Sequence, residues 1–274
     1  MTHWAGIERP GVGPFIGWGA MKTMETELMP SPIQAGAPQD IRSGAISAAP
    51  SVLVFDVNET LIDIDAMTPL FEQIFGDPRV LREWFGQLVM YSMTATLSGN
   101  YVDYFTLGQG LLRMLAEVHR VDITDEDLRR VKEGMLTMPA HPDVEDGLTK
   151  LRDNGFRLVT LTNSPPNPHG PTPLEHAGLG RFFERQFSVD TCRIYKPAQA
   201  AYRHVCQELA VAPSECMMVA AHVWDTIGAQ SAGLSAALIT RPGNAPLRVD
   251  DMPQPALVTT DLRQLAQQLC NTRS

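Results

Sequence analysis

The segment Ser51-Val52-Leu53-Val54-Phe55-Asp56-Val57 is a short apolar run that carries a carboxylate near its end, and this combination narrows the possible folds more than any other feature. A strand apolar at every position has to be covered on both faces, which is the situation of a strand inside a parallel sheet. Runs of the same character recur as FRLVTLTN (156–163), CMMVAAH (216–222) and LSAALIT (234–240), with ALVTT (256–260) as a weaker edge candidate. Amphipathic helical sequence separates them, for example HPDVEDGLTKLRDNG, which stops at Asn154 and Gly155, and KPAQAAYRHVCQELA. Strands alternating with helices predict an α/β fold, a Rossmann-like, doubly wound parallel sheet.

About 95 residues without a convincing strand lie between the first two runs, far more than a strand-helix-strand crossover needs. Three segments there carry helical apolar spacing (77–99, 102–120 and 124–138), and Thr124 with Asp127 reads as a capping box. The expected organisation is an α/β core of residues 51–65 and 143–270, with a helical cap, 66–142, inserted over the carboxyl ends of the strands. Ligands bind at those ends in open α/β sheets. Residues 1–50, rich in Gly, Pro, Ala and Ser, read as a disordered extension. Methionines and aromatics of the insertion, Met90, Met93, Phe105 and Met114, read as core.

A net charge of -9, with 19% charged residues, argues against a nucleic-acid surface built from clustered Lys and Arg, yet permits a locally positive pocket for a small anion. Cys192, Cys206, Cys216 and Cys270 lack CxxC spacing and read as reduced cytosolic thiols rather than a zinc or redox motif. His119, His141, His169, His176 and His204 show no metal-like spacing. No apolar run reaches the roughly 20 residues of a membrane span, and a cytoplasmic protein without a membrane partner is expected.

Four motifs carry chemistry. Asp56-Val57-Asn58-Glu59-Thr60 follows the first strand, so Asp56 stands at the sheet crevice as a candidate nucleophile; a helix-capping role is the alternative. Thr162 and Asn163 end the next strand with a hydroxyl and an amide. Tyr195-Lys196-Pro197 aims an ammonium at the same edge, with Pro197 as a helix start. Ala221-His222-Val223-Trp224-Asp225 follows a third strand with a further carboxylate.

In this order and spacing the motifs resemble the haloacid dehalogenase superfamily across residues 52–265. The resemblance implies Asp56 as nucleophile, Thr162 as a binding element, Lys196 as an anchoring cation and acidic residues in the fourth motif. A phosphatase of that superfamily would carry a second Asp as general acid where this chain has Asn58. It would also bind Mg²⁺, which calls for several oxygen ligands, whereas the fourth motif offers only Asp225. The remaining residues are similar to type II 2-haloacid dehalogenases, which need neither metal nor cofactor.

That likeness implies a small halogenated carboxylic acid as substrate, a homodimer, Tyr202 at the family spacing from Lys196, and Trp224 lining the pocket. Asn163 would help hold the departing halide, Thr60 and Thr162 would hydrogen-bond the nucleophile or the substrate carboxylate, and Asp225, with His222, would activate water. Phe85 stands where the family's cap arginine contacts halide, with Arg82 one turn away as a substitute. His222 replaces an Asn and reads either as a water-activating base or as a neutral hydrogen-bonding group. A phosphatase acting on a small metabolite and a non-catalytic small-acid-binding relative are the alternatives.

Overall fold

The computed structural model describes residues 50–168 and 170–272; the expectation for residues 1–49 and for His169 lies outside them. Six strands form one sheet in the order β3-β2-β1-β4-β5-β6, every neighbouring pair parallel. β1 (Val52–Phe55) is wholly buried between β2 (Arg157–Thr162) and β4 (Cys216–Ala220). Phe55 stands opposite Thr160 on one side and Val219 on the other. The chain therefore leaves β1, β2 and β4 side by side. That register sets the loops beginning at Asp56, Asn163 and Ala221 on one edge of the sheet, where the winding order reverses.

β5 (Ser235–Ile239) and β6 (Leu257–Thr259) extend one side of the sheet. On the other edge lies β3 (Arg185–Ser188), a strand the apolar-run pattern misses. Its sequence RQFS is polar and its first two residues are exposed, because an edge strand with one open face does not need a continuous apolar run. Four strands (β1, β2, β4 and β5) bury Val52, Leu53, Val54, Phe55, Val159, Val219 and Ile239 completely. Side chains of this size each contribute about 2 kcal/mol on leaving water.

Between β1 and β2 the chain is helical: α1 (Thr68–Phe75), α2 (Val80–Leu97), α3 (Tyr104–His119), α4 (Asp125–Thr137) and α5 (Val144–Asp153). Thr124 caps α4 in the expected box with Asp127, satisfying backbone donors at the first turn. Trp84 of α2 is buried and its Nε1 donates to Gly108 O of α3 at 2.9 Å. Gly108 permits this approach: a Cβ there would stand 3.1 Å from the Trp84 ring. Met90 is an exception to the core expectation. It is 51% exposed on the outer face of α2, because the amphipathic stripe of this helix runs through Leu81, Trp84, Phe85 and Leu88.

Past β2 come α6 (Pro173–His176), α7 (Gln199–Leu209), α8 (Val223–Ser231) and α9 (Leu262–Asn271). The helix expected to begin at Pro197 begins two residues later, with Ala198 as its N-cap. Lys196 and Pro197 therefore belong to the connecting loop. Among the described residues no helix is long and apolar enough to cross a membrane.

Candidate active site

Asp56 sits one residue beyond β1 and is 4% exposed. Its two oxygens face different partners. Lys196 Nζ donates to Oδ1 at 2.8 Å, and Thr60 Oγ1 donates to Oδ2 at 2.7 Å. Thr60 Oγ1 in turn accepts the Ala221 amide at 2.9 Å, which ties the β1 loop to the end of β4. The carbonyl of Thr60 accepts from Arg241 Nε and Nη2 at 3.1 and 2.9 Å. Arg241 is itself neutralised by buried Asp143 at 2.7 Å. Burial works against the Asp56 carboxylate, but the ammonium of Lys196 and the imidazole of His222 outweigh it and hold the group well below the usual range.

Lys196 is 1% exposed and uses all three of its protons, on Asp56, on Leu161 O at 2.9 Å and on Asp225 Oδ2 at 2.6 Å. A fully buried ammonium is tolerable only with such complete pairing. Desolvation disfavours its charge, and the two carboxylates reverse that effect and push it up. Tyr202 OH donates to Asp225 Oδ1 at 2.6 Å. Both oxygens of Asp225 are thus occupied and its side chain is fully enclosed, which seats it behind Lys196. Burial pushes Asp225 up, the pull of Lys196 opposes this, and repulsion from Asp56 adds to the rise. Gly228 of α8 lets these elements meet, since a Cβ there would lie 2.5 Å from Pro197 Cβ and 2.7 Å from Tyr202 OH.

The other expected residues divide. Asn163 Oδ1 accepts the Lys196 backbone amide at 3.2 Å and so shapes the lysine loop. Asn58 Nδ2 donates to Ser164 Oγ at 3.2 Å, and Thr162 Oγ1 accepts the Ser164 amide at 3.1 Å. Asn58 and Thr162 line, with Thr160, Ser164 and Gln186, a cavity of about 70 Å³ beside the β1 loop. Thr60, not Thr162, touches Asp56. Thr160 Oγ1 has no hydrogen-bond partner although fully buried. Phe85 of α2 packs its ring 5.7 Å from that of His222, and Trp224 stacks on His222 at 5.1 Å and 20°. The ring of Trp224 also lies 5.6 Å from Lys196 Nζ.

Arg82 forms ion pairs within the protein. It pairs with Glu59 and with Asp65, the latter at 2.7 Å. Glu59 is a site residue that sequence reading passed over between Asn58 and Thr60. Its Oε2 lies 2.7 Å from His222 Nε2, while His222 Nδ1 lies 3.3 Å from Asp56 Oδ2. With a carboxylate at each nitrogen both nitrogens act as donors, so the ring is an imidazolium. Burial lowers the His222 pKa, yet the bonds to Asp56 and Glu59 raise it to about 9. Nothing in the sequence marks Glu59 beyond its place in the motif; in the structure its backbone is left-handed, at φ 66°.

Among the described residues no group of three or more His, Cys, Asp and Glu side chains is arranged to hold a metal ion. The oxygens of Asp56 instead face an ammonium, a hydroxyl and an imidazolium.

The model of the haloacid dehalogenase-like hydrolase family matches residues 50–233, which contain every residue of this arrangement except Arg241. An (S)-2-haloacid dehalogenase of Pseudomonas sp. (strain CBS-3) is 30% identical over 194 residues, 69% of this chain and 83% of its own. (S)-2-haloacid dehalogenase 4A of Burkholderia cepacia is 28% identical over 199 residues, 70% of this chain and 84% of its own. A solved L-2-haloacid dehalogenase structure superposes with a TM-score of 0.74 at 27% identity, covering 81% of this chain and 99% of its own. The sheet order, the carboxylate after β1 and the family match agree, and the chain belongs to the haloacid dehalogenase-like hydrolases.

Proposed function

We propose that the protein hydrolyses short 2-haloalkanoic acids to 2-hydroxyalkanoic acids and halide through an ester on Asp56. The observation that carries this reading is the setting of Asp56, an ionised, nearly dry carboxylate pinned by Lys196 and Thr60 with Asn58 two residues on. A desolvated and aligned carboxylate is a competent nucleophile toward carbon. Halide leaves carbon without a proton, so Asn58 in place of a general acid is no handicap, whereas an alkoxide leaving from phosphorus needs that proton. The relatives named as 2-haloacid dehalogenases support the same substrate class.

In this reading Lys196 orients Asp56, and Asp225 with Tyr202 keeps the ammonium in place. Helices α1–α4 act as a cap, with Phe85 and Trp224 as the aromatic walls around His222. Asn58 and Thr162 serve substrate binding from the neighbouring cavity, and Asn163 keeps the lysine loop in position. A homodimer, for which Met90, Tyr91 and Leu97 on the outer face of α2 offer exposed apolar surface, and a cytoplasmic location, in keeping with four free thiols, complete the proposal.

Halide release from 2-chloropropionate, chloroacetate and fluoroacetate, measured with EDTA present for wild type and Asp56→Asn, tests it. Release by wild type and none by the variant is expected. Absence of halide from all three acids, with Mg²⁺-dependent turnover of an aryl phosphate, contradicts it.

A further inference from the structure

Thr160 lies in the middle of β2, completely buried, and its Oγ1 has no hydrogen-bond partner among the described residues. Valine has nearly the same shape and would spare the strand an unpaired hydroxyl. The hydroxyl is not packed against apolar neighbours alone, however, because Thr160 lines the cavity of about 70 Å³ beside the β1 loop.

Thr160 and Thr162 are two residues apart on β2 and so share one face of the sheet. Their partners across β3, Gln186 and Ser188, line the same cavity. Val57, the residue after the nucleophile, and Ser164, from the loop that follows β2, line it from the other side. The space is therefore built from the sheet itself and from the two loops that carry the reaction centre.

Its hydrogen-bonding capacity is one-sided. Thr162 Oγ1 accepts the Ser164 amide and Ser164 Oγ accepts from Asn58 Nδ2, so both hydroxyls keep their own protons uncommitted among the described residues. Asn58 has a second Nδ2 proton, and Gln186 keeps both of its amide protons, since Thr172 engages only its Oε1. Hydroxyl rotors turn their protons toward whatever accepts them. Three hydroxyls and two amides can thus donate into one space that no Lys, Arg, His, Asp or Glu lines.

Water meets such a lining only in part, because each molecule has two protons of its own to place. A halide accepts from every side and donates nothing. Being spherical, it suits donors that converge from a strand and two loops, whereas a carboxylate or phosphate calls for cations and paired donors in a plane. The cavity has the room, since a single water needs about 10–15 Å³.

We propose that this cavity is a halide-binding site, with Thr160, Thr162 and Ser164 as its hydroxyl donors and Asn58 and Gln186 as its amide donors. It is separate from the positions that the family likeness puts beside the halide, for neither Asn163 nor Phe85 lines it. In turnover the ion released at Asp56 passes Asn58 into the cavity, and Gln186, exposed on β3, leads it on to solvent. That role in turnover rests on the dehalogenase reading; the binding of halide does not.

Crystals of the full chain grown without halide and soaked in sodium bromide, with diffraction collected at the bromine absorption edge, test the site without any turnover. An anomalous peak in the cavity, within hydrogen-bond reach of Thr160 Oγ1, is expected. A hydrogen bond to an ion is worth about tenfold or more in affinity, so Thr160→Val and Ser164→Ala should each need roughly tenfold more bromide for the same occupancy. Thr160→Val gives up no hydrogen bond within the protein. Its melting temperature without halide should equal or exceed that of wild type, which separates lost binding from lost folding. Water alone in the cavity of wild-type crystals, or a bromide peak unchanged in both variants, would overturn the proposal. Either result beside normal halide release from haloacids would leave the dehalogenase reading intact, and a bromide peak in an enzyme that releases no halide would leave the site without its role in turnover.

Discussion

Lys196 Nζ stands 2.8 Å from Asp56 Oδ1 and 2.6 Å from Asp225 Oδ2, so one buried cation is shared by two buried anions. Replacing it with Ala leaves Asp225 dry without its cation and leaves Asp56 with His222 as its remaining ionic partner. The loss of a partner from a buried ion pair costs about 3–5 kcal/mol, so Lys196→Ala should lower the denaturation midpoint clearly and abolish halide release. Chemical denaturation of wild type and variant checks this. A variant of native stability would mean that the ammonium does not balance this cluster.

The pH dependence of stability follows from His222. Its pKa is about 9 in the folded protein against 6.5 ordinarily, so the native state holds a proton that the unfolded chain has lost between those values. The stabilisation is complete below about pH 6.5 and disappears as pH rises toward 9. Asp56 and Glu59, both lowered, act in the opposite direction and lose their contribution as pH falls below the ordinary carboxylate range. Melting temperature should therefore decline on both sides of neutrality. In His222→Asn the decline between pH 6.5 and 9 should flatten.

Gly228 is expected to resist substitution. A Cβ at this position would meet Pro197 and Tyr202 at 2.5–2.7 Å, and the Pro197 carbonyl is backbone that cannot rotate away. Gly228→Ala should push the lysine loop from α8, separating Lys196 from Asp225, and reduce turnover more than substrate affinity. Steady-state kinetics would show this as a fall in kcat. An unchanged kcat would show that the lysine loop tolerates displacement.

Ala210 offers a change in the stabilising direction. It ends α7 at φ 53° and ψ 45°, is exposed, and donates its amide to Cys206 O and Gln207 O. Glycine takes this left-handed position without the steric penalty of a Cβ. Ala210→Gly should raise stability by about 0.5–1 kcal/mol, visible as a higher melting temperature with halide release unaffected.

Much of this architecture is legible in the chain because buried parallel strands leave a simple mark. β1 and β4 are continuous apolar runs and β2 and β5 mostly apolar ones, and β3 escapes because an exposed edge permits RQFS. Asp56, Lys196 and Asp225 can be picked out by their local text, but their union depends on contacts across 140 and 29 residues. Glu59 shows the limit most plainly. Its partner His222 is 163 residues away, and the charge of that histidine depends on the pair. Reading His222 without Glu59 therefore leaves base and neutral group equally open. Arg82, expected as a stand-in for a cap arginine, is drawn to Glu59 for the same reason.

The proposed turnover passes through a covalent bond between Asp56 and the substrate carbon. Multiple turnovers of 2-chloropropionate in ¹⁸O-water, followed by mass spectrometry of the peptide containing Asp56, test it most directly. Water attacking the ester at Cγ deposits its oxygen in the carboxylate, so labelled Asp56 is the predicted result. Unlabelled Asp56, with ¹⁸O in the 2-hydroxyacid from the first turnover, would mean that water attacks the substrate directly and would contradict the account.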